Sequence, residues 1–220
     1  KGAGKFLMRL LGLLVLVWGS GAMAADPVRV IIKTTQGAIT LELDAKAAPA
    51  TVANFLSYVD QSGYDNTIFH RVIEGFMIQG GGHYRDLAES PSGPSLRNEA
   101  DNGLRNEVGT IAMARMNAID SASRQFFINV SNNAFLNHTS KSCSREDEAK
   151  TAAQREKGIS KPQKCKSFGY TVFGKVVAGM KVVDQIENSK TKTAGMYQDV
   201  PVTPIVILSV ERVAEESESS

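Results

Sequence analysis

The sequence predicts a mainly β fold in which about seven or eight antiparallel strands close into a barrel, with an α-helix over each open end. Short segments rich in β-branched and aromatic residues recur between turns that contain Gly, Asn and Ser, as in antiparallel sheets. Only two segments of the proposed domain have the apolar spacing of a helix that packs on a core. A closed barrel leaves few unpaired strand edges, and two helices can cover its ends.

Alternation of apolar and polar residues is clearest in the first two strands. It covers Val28–Lys33 and Ile39–Leu43, and the Gln36-Gly37 pair between them predicts a turn. Further strands are predicted at Thr67–Val72, Phe76–Gln79, Gly109–Ala114, Gln125–Val130, Thr171–Val176 and Ile205–Val210.

The two capping helices are predicted from three- and four-residue apolar spacing. The first begins near Pro49, which the first helical turn tolerates, and ends at Gly63. Its apolar residues are Val52, Phe55, Leu56 and Val59. The second contains Met180, Val183 and Ile186.

The first 24 residues have the layout of a secretory signal peptide. Basic residues stand at positions 1, 5 and 9, before the apolar run Leu10–Trp18, and small residues favour cleavage after Ala24. The run is too short for a stable membrane anchor, so we expect export to the periplasm. The domain is then expected over residues 25–212, followed by a disordered acidic tail at 213–220.

Composition and charge exclude some function classes. With 220 residues and 42% hydrophobic residues, the chain can bury one sizeable core. Losing the three basic residues of the leader takes the formal net charge from +2 to −1. Without a basic stripe, the mature chain has no electrostatic footprint for nucleic acid.

The two cysteines, Cys143 and Cys165, lie in one polar segment. In an exported protein a disulfide between them is the leading interpretation, and two unpaired thiols are the alternative. Metal binding is disfavoured, because the spacing is not that of a zinc site and His138 is the only imidazole nearby.

Four motifs occur in an order that carries a family resemblance. They are FHRVIEGFMIQGG at Phe69–Gly81, GTIAMA at Gly109–Ala114, SRQFFI at Ser123–Ile128 and VFGK at Val172–Lys175. Over roughly Val28–Val210 the chain resembles cyclophilin-type peptidyl-prolyl cis-trans isomerases, most closely the exported bacterial branch. The resemblance implies a closed eight-stranded antiparallel barrel capped by two α-helices.

The resemblance also implies a substrate groove on the outer wall of the barrel. Its catalytic group would be Arg71, which Gln79 orients, with Phe76 beside it. The implied substrate-binding residues are Met77, Ala114, Arg115, Gln125, Phe127, Phe135, Leu136 and Tyr170. Because adjacent strand residues face opposite sides, Phe126 is expected in the core and Phe127 in the pocket.

The implied activity is rotation about the peptide bond that precedes proline, in proline-containing peptides and in unfolded exported proteins. A module that binds proline peptides or acts as a chaperone, with little turnover, is the alternative. No cofactor or metal is implied, because His70, His83 and His138 do not form a spaced ligand set. A monomer is expected, since nothing in the sequence requires an oligomer.

Three positions depart from the pattern of cytosolic eukaryotic cyclophilins. Phe135 stands where tryptophan is typical, Tyr170 where histidine is, and Arg115 where asparagine is. Without an indole N–H donor, we expect weak or no binding of cyclosporin.

An excursion at residues 138–168 is longer than the corresponding connection in compact relatives. Residues 146–157 have the composition of an exposed helix. This excursion is expected either to border the groove and influence which substrates fit, or to be a tolerated surface insertion.

Overall fold

The computed structural model describes residues 27–160 and 167–214. The predicted signal peptide, Cys165 and residues 215–220 of the predicted acidic tail lie outside this part of the chain. The strands are β1 Val28–Thr34, β2 Gly37–Leu43, β3 Phe69–Ile73, β4 Met77–Gly80, β5 Thr110–Met113, β6 Phe126–Asn129, β7 Val172–Ala178, β8 Thr191–Ala194, β9 Tyr197–Pro201 and β10 Ile207–Arg212. The α-helices are α1 Pro49–Asp60, α2 Arg145–Glu156 and α3 Met180–Glu187, and a 3₁₀ helix covers Ala134–Leu136.

Eight strands form one curled antiparallel sheet in the order β10-β1-β2-β7-β5-β6-β4-β3. The predicted closed barrel is therefore a half-barrel in its regular pairing, with β10 and β3 at the two ends of the strand order. The chain next to these two strands still meets. Ile68 forms a single antiparallel bridge with Val206, and the N–H of Ile207 donates to the Thr67 carbonyl at 2.8 Å.

The first hairpin shows how the sequence pattern sets the register. Thr34 pairs with Gly37 across a two-residue turn, so the turn lies one residue earlier than the Gln36-Gly37 prediction. Gly37 has a φ of 130°, which few residues with a side chain adopt. The alternating apolar residues face the core, and those fully buried are Val30, Ile32, Ile39 and Leu41.

Helices α1 and α3 pack on the core inside the curled sheet. Phe55 of α1 lies 5.8 Å from Phe126 and 5.3 Å from Phe173 between ring centroids, and Val183 of α3 is fully buried. Helix α1 ends at Asp60, before the predicted Gly63. The predicted exposed helix in the excursion is also present, as α2, and Thr151 is its one buried residue.

A second, smaller apolar cluster lies apart from the main core. Phe126 belongs to the main core cluster, whereas Phe127 belongs to this second cluster, as strand alternation predicts. Its buried members are Met77, Ala112, Phe127, Leu136 and Val172. We call it the outer cluster, because its side chains lie on the opposite face of the sheet from the core.

The strands β8 and β9 form a separate hairpin that the sequence did not predict. This hairpin lies against the curled sheet beside β3. It brings Asp199 to within 3.8 Å of the guanidinium of Arg71.

Among residues 27–160 and 167–214, none of the helices combines the length and the hydrophobicity that a bilayer crossing needs.

Candidate active site

The candidate site is built from side chains that neighbour one another across four strands. Arg71 pairs with Gln79 and Gln79 with Phe127, while Phe127 pairs with Ala112 on β5. Residues directly opposite in an antiparallel ladder point to the same face. The register therefore places the guanidinium, the amide and the aromatic ring in one row on the outer face.

A second row of side chains lies two residues further along β3 and two residues back along β4. This row is apolar. Ile73 pairs with Met77 across β3 and β4, and Met77 is 2% exposed. Leu136 comes from the 3₁₀ helix and is also buried. Phe76, Ala114 and Tyr170 pack against this outer cluster from its margin.

Two pairs of aromatic rings flank the outer cluster. The ring of Phe127 meets Tyr170 edge-on at 5.8 Å, and Phe76 stacks on Phe135 at 5.6 Å. Phe135 is 72% exposed, so its ring stands at the surface beside Phe76. The structure thus brings together all the apolar residues that the resemblance assigned to the groove.

The polar side of the groove differs in detail from the expectation. Gln79 donates from Nε2 to Oε1 of Gln125 at 2.9 Å, and the ion-pair partner of Arg71 in the described part of the chain is Asp199. The expected contact by which Gln79 orients Arg71 is thus not among the hydrogen bonds of the described residues. Gln79 instead links Arg71's row to Gln125.

The glycines after β4 make room for this amide pair. A Cβ on Gly82 would lie 2.3 Å from the side chain of Gln125, and one on Gly81 would lie 2.8 Å from Phe126. Gly81 also has a φ of 81°. Tight backbone geometry, rather than a phosphate cradle, explains these glycines.

Arg115 lies just beyond strand β5, beside Tyr170. Its guanidinium lies 4.6 Å from the ring centroid of Tyr170 and donates to the Gly169 carbonyl at 3.0 Å and to Oγ of Ser167 at 2.6 Å. The side chain is thus committed to holding the backbone in place. Its neighbour Ala114 remains at the margin of the outer cluster.

Arg124 is a positioning residue that sequence reasoning missed. It is only 2% exposed, and its guanidinium donates to the carbonyl of Gly81 at 2.8 Å and to those of Pro91 and Gly63. It also lies over the ring of Tyr58 at 4.9 Å. By holding three backbone segments, Arg124 fixes the base from which Gln125 projects.

His70, adjacent to Arg71, is packed rather than poised as a base. Burial, together with the neighbouring His83, lowers the pKa of His70 to about 3. The two rings lie 4.3 Å apart, and Tyr197 of the β8–β9 hairpin covers His83 at 5.0 Å. Both imidazoles therefore belong to the packing between β3 and the hairpin.

Metal chemistry has no candidate centre in the described chain, where no group of three or more His, Cys, Asp or Glu side chains could hold an ion. Cys143 is buried, at 6% exposed. Because Cys165 lies outside the described residues, the disulfide stays a prediction.

Comparison with known proteins identifies the family. The model of the cyclophilin type peptidyl-prolyl cis-trans isomerase family matches residues 29–212. The chain belongs to this family. The match includes every strand from β2 to β10 and every residue of the candidate groove.

Bacterial peptidyl-prolyl cis-trans isomerases resemble the chain over most of their length. The chain is 45% identical to peptidyl-prolyl cis-trans isomerase A of Dickeya dadantii over 208 residues, which cover 94% of this chain and 96% of the relative. It is 43% identical to peptidyl-prolyl cis-trans isomerase B of Escherichia coli, over 82% of this chain and 97% of the relative.

A solved cyclophilin shares the fold. The crystal structure of a Cryptosporidium parvum cyclophilin type isomerase matches with a TM-score of 0.61 at 24% identity, covering 86% of this chain and 99% of that chain. The mainly β cyclophilin fold is therefore shown.

Proposed function

We propose that this cyclophilin catalyses cis-trans isomerisation of X-Pro peptide bonds in the groove over the outer cluster. The observation that supports this most directly is the row of Arg71, Gln79 and Phe127 on one face of the sheet. It sets a permanent cation at the edge of an apolar depression. The family membership points to the same activity.

The reaction changes only a torsion, so it needs no nucleophile. Rotation about the amide removes its resonance and has a barrier of about 18–20 kcal/mol. As carbon and nitrogen decouple, the imide nitrogen becomes pyramidal and gains a lone pair that accepts a hydrogen bond. A guanidinium N–H of Arg71 aimed at this nitrogen stabilises the twisted state more than either planar one.

The apolar groove contributes by restraint. Phe76, Met77, Phe127 and Leu136 would hold the proline ring while the preceding residue turns, and thioether contacts adapt to the ring. Low local polarity also strengthens the interaction of Arg71 with the nitrogen. Lowering the barrier by about 7 kcal/mol would accelerate rotation about 10⁵-fold.

Polar groups beside the proline would hold the peptide backbone in register. The Gln79–Gln125 amide pair fixes two side chains next to Arg71, and the backbone near Ala114 and Arg115 borders the same face. We propose that these groups bind the residues that flank the proline.

Substitution of Arg71 tests the activity. We expect Arg71→Ala to lower kcat/KM on an Ala-Pro tetrapeptide at least 100-fold, because the donor to the imide nitrogen is lost. Arg71→Lys should recover only part, since an ammonium lacks the planar fork. NMR exchange spectroscopy or a protease-coupled assay measures the rate.

The control for this test is Arg29→Ala. Arg29 also lies on a strand and pairs with a carboxylate, that of Glu42, but not in the groove. Equal rates for wild type and Arg71→Ala would refute the mechanism. If the wild type binds the peptide but shows no turnover, the alternative of a proline-peptide binding or chaperone module holds.

We also propose that the protein acts as a monomer on unfolded proteins in the periplasm, after cleavage of the signal peptide. The charge and apolar run of the first 24 residues support export. In the same compartment, the predicted Cys143–Cys165 disulfide could form. Cell fractionation that finds the protein only in the cytoplasm would overturn export, and amino-terminal sequencing that finds residues before Ala25 would overturn cleavage after Ala24.

We also propose a closed barrel and weak cyclosporin binding. The bridge between Ile68 and Val206 supports a barrel that is closed in solution. Weak cyclosporin binding is expected from Phe135, because its exposed ring offers no N–H donor. A nanomolar dissociation constant for cyclosporin, measured by calorimetry, would contradict the latter.

A further inference from the structure

Helix α2 of the excursion is anchored through one face to a loop that follows strand β5. Arg145 donates from two nitrogens to the two carboxylate oxygens of Asp120, each at 2.8 Å. One turn later, Glu148 accepts the backbone N–H of Ile119 at 2.8 Å. Positions three apart lie on the same helix face, so both contacts are made by one side of α2.

Further interactions hold the anchored residues in place. Arg145 also donates to the Asn98 carbonyl at 3.0 Å and lies 4.9 Å from the ring centroid of Phe168. Ile119 is buried in a small cluster with Ala100 and Phe168. The guanidinium of Arg145 holds the pKa of Asp120 below its usual range, so this bidentate pair is fully charged at neutral pH.

The loop so anchored, residues 115–121, begins at the groove. Its first residue is Arg115, whose guanidinium covers Tyr170 and also donates to the carbonyl of Met116 at 2.9 Å. Met116 itself is 74% exposed. The loop is therefore attached to the groove at Arg115 and to α2 at Ile119 and Asp120, with an exposed apolar side chain between.

We propose that α2 is a strut that fixes loop 115–121 and thereby sets how well extended polypeptide, as opposed to a short peptide, fits along the groove. The strut contact is defined as the bonds of Arg145 to Asp120 and of Glu148 to Ile119. This inference rests on the proposed isomerase function. A short peptide reaches only the outer cluster and the row of Arg71, whereas a longer chain continues past Ala114 onto the loop.

The test compares variants on the two sides of the same helix. Arg145→Met removes the bidentate guanidinium but keeps an apolar contact with Phe168. Glu148→Ala removes the carboxylate that accepts from Ile119, and alanine is a good helix former. The matched control is Lys150→Met, since Lys150 pairs at 2.9 Å with Glu146 on the exposed side. Each variant is assayed on an Ala-Pro tetrapeptide and on an unfolded protein whose refolding is limited by prolyl isomerisation.

For Arg145→Met and Glu148→Ala we expect KM for the protein substrate to rise about fivefold, equivalent to about 1 kcal/mol of binding. Values of kcat and KM for the tetrapeptide should stay within about twofold, and the Ile119 amide should exchange with solvent faster. Lys150→Met should leave all three readouts unchanged. Arg145→Lys, which keeps the charge without the fork, should fall between.

Two outcomes would overturn the strut. One is faster exchange at Ile119 with unchanged KM for the protein substrate, which would mean that the loop is loosened without consequence. The other is unchanged exchange at Ile119 in both variants, which would mean that α2 does not hold the loop. A wild type that does not turn over the tetrapeptide would instead contradict the isomerase function. Failure of the strut proposal and failure of the proposed function are therefore distinguishable. Because Glu148→Ala removes a single acceptor, the test remains decisive if Arg145→Met does not fold.

Discussion

Asp199 competes for the guanidinium of Arg71, the proposed catalytic group. Its carboxylate lies 3.8 Å from Nε of Arg71, and the two side chains are 39% and 42% exposed. An exposed pair of this length contributes at most about 1 kcal/mol. In the proposed mechanism a substrate can therefore displace this carboxylate, which orients the guanidinium without fixing it in place.

This competition predicts a dependence on salt. Because salt screens exposed pairs, raising ionic strength from about 0.01 M to 0.15 M should raise kcat/KM of the wild type about twofold on an uncharged peptide. Asp199→Asn should remove that dependence. Steady-state rates across a salt series measure both.

Asp60→Asn is the control for this prediction. It removes the carboxylate of Asp60 on α1, which is 50% exposed and forms a bidentate pair with Arg212 of β10. A salt dependence in Asp199→Asn that equals that of the wild type would contradict the competition.

At the residue scale, site residues that lie in motifs could be predicted from the sequence, whereas residues outside any motif pattern could not. Arg71, Gln79 and Phe127 were predicted because they occur in ordered motifs. Asp199 was not, because a single carboxylate on a polar segment has no local pattern. Arg124 was missed for a different reason: its partners are backbone carbonyls, so no complementary acidic residue marks an arginine that is almost fully buried.

At the scale of elements, prediction succeeded where burial of one face imposed a regular spacing of apolar residues. Strand alternation identified β1 and β2, and helical spacing identified α1 and α3, with ends that differ by up to three residues. The hairpin β8–β9 escaped because only Val200 and Pro201 in it are buried. Its position follows from tertiary contacts such as that of Tyr197 with His83, which no local pattern contains.

Helix α2 shows what composition can and cannot reveal about an element. Its charged residues predicted an exposed helix, and a capping box between Ser144 and Asp147 starts it. Composition did not indicate which of those charges face the protein. The contacts of Arg145 and Glu148 depend on how α2 packs against the loop after β5. That packing is a tertiary contact, which the composition of the helix does not encode.

At the scale of the whole molecule, stability should depend on the buried imidazoles. In the folded state the pKa of His70 is about 3, and burial also lowers the pKa of His83, against the attraction of Glu89. The folded pKa of His70 lies below the unfolded value of about 6.5. Above pH 6.5 the His70 imidazole is mostly neutral in both the folded and the unfolded state. Below pH 6.5 the unfolded state binds a proton on this ring that the folded state does not bind.

We therefore expect the free energy of unfolding to fall by about 2 to 3 kcal/mol between pH 6.5 and pH 4.5. This window lies above the range in which paired carboxylates such as Asp60 protonate, because Arg212 lowers the pKa of that group. Urea unfolding at several pH values measures the effect. His70→Gln should flatten the curve over this window, and an equally steep curve in that variant would show that another group is responsible.

The separation of the outer cluster from the main core has a consequence for how such proteins diversify. The residues that would grip proline share no buried cluster with those that hold the sheet and helices together. If the proposed groove binds proline, changes at Phe76, Phe135 or Tyr170 are expected to alter the preferred sequence around proline while the main core stays intact. The proposed groove can therefore be varied by substitution on a scaffold whose main core is unchanged.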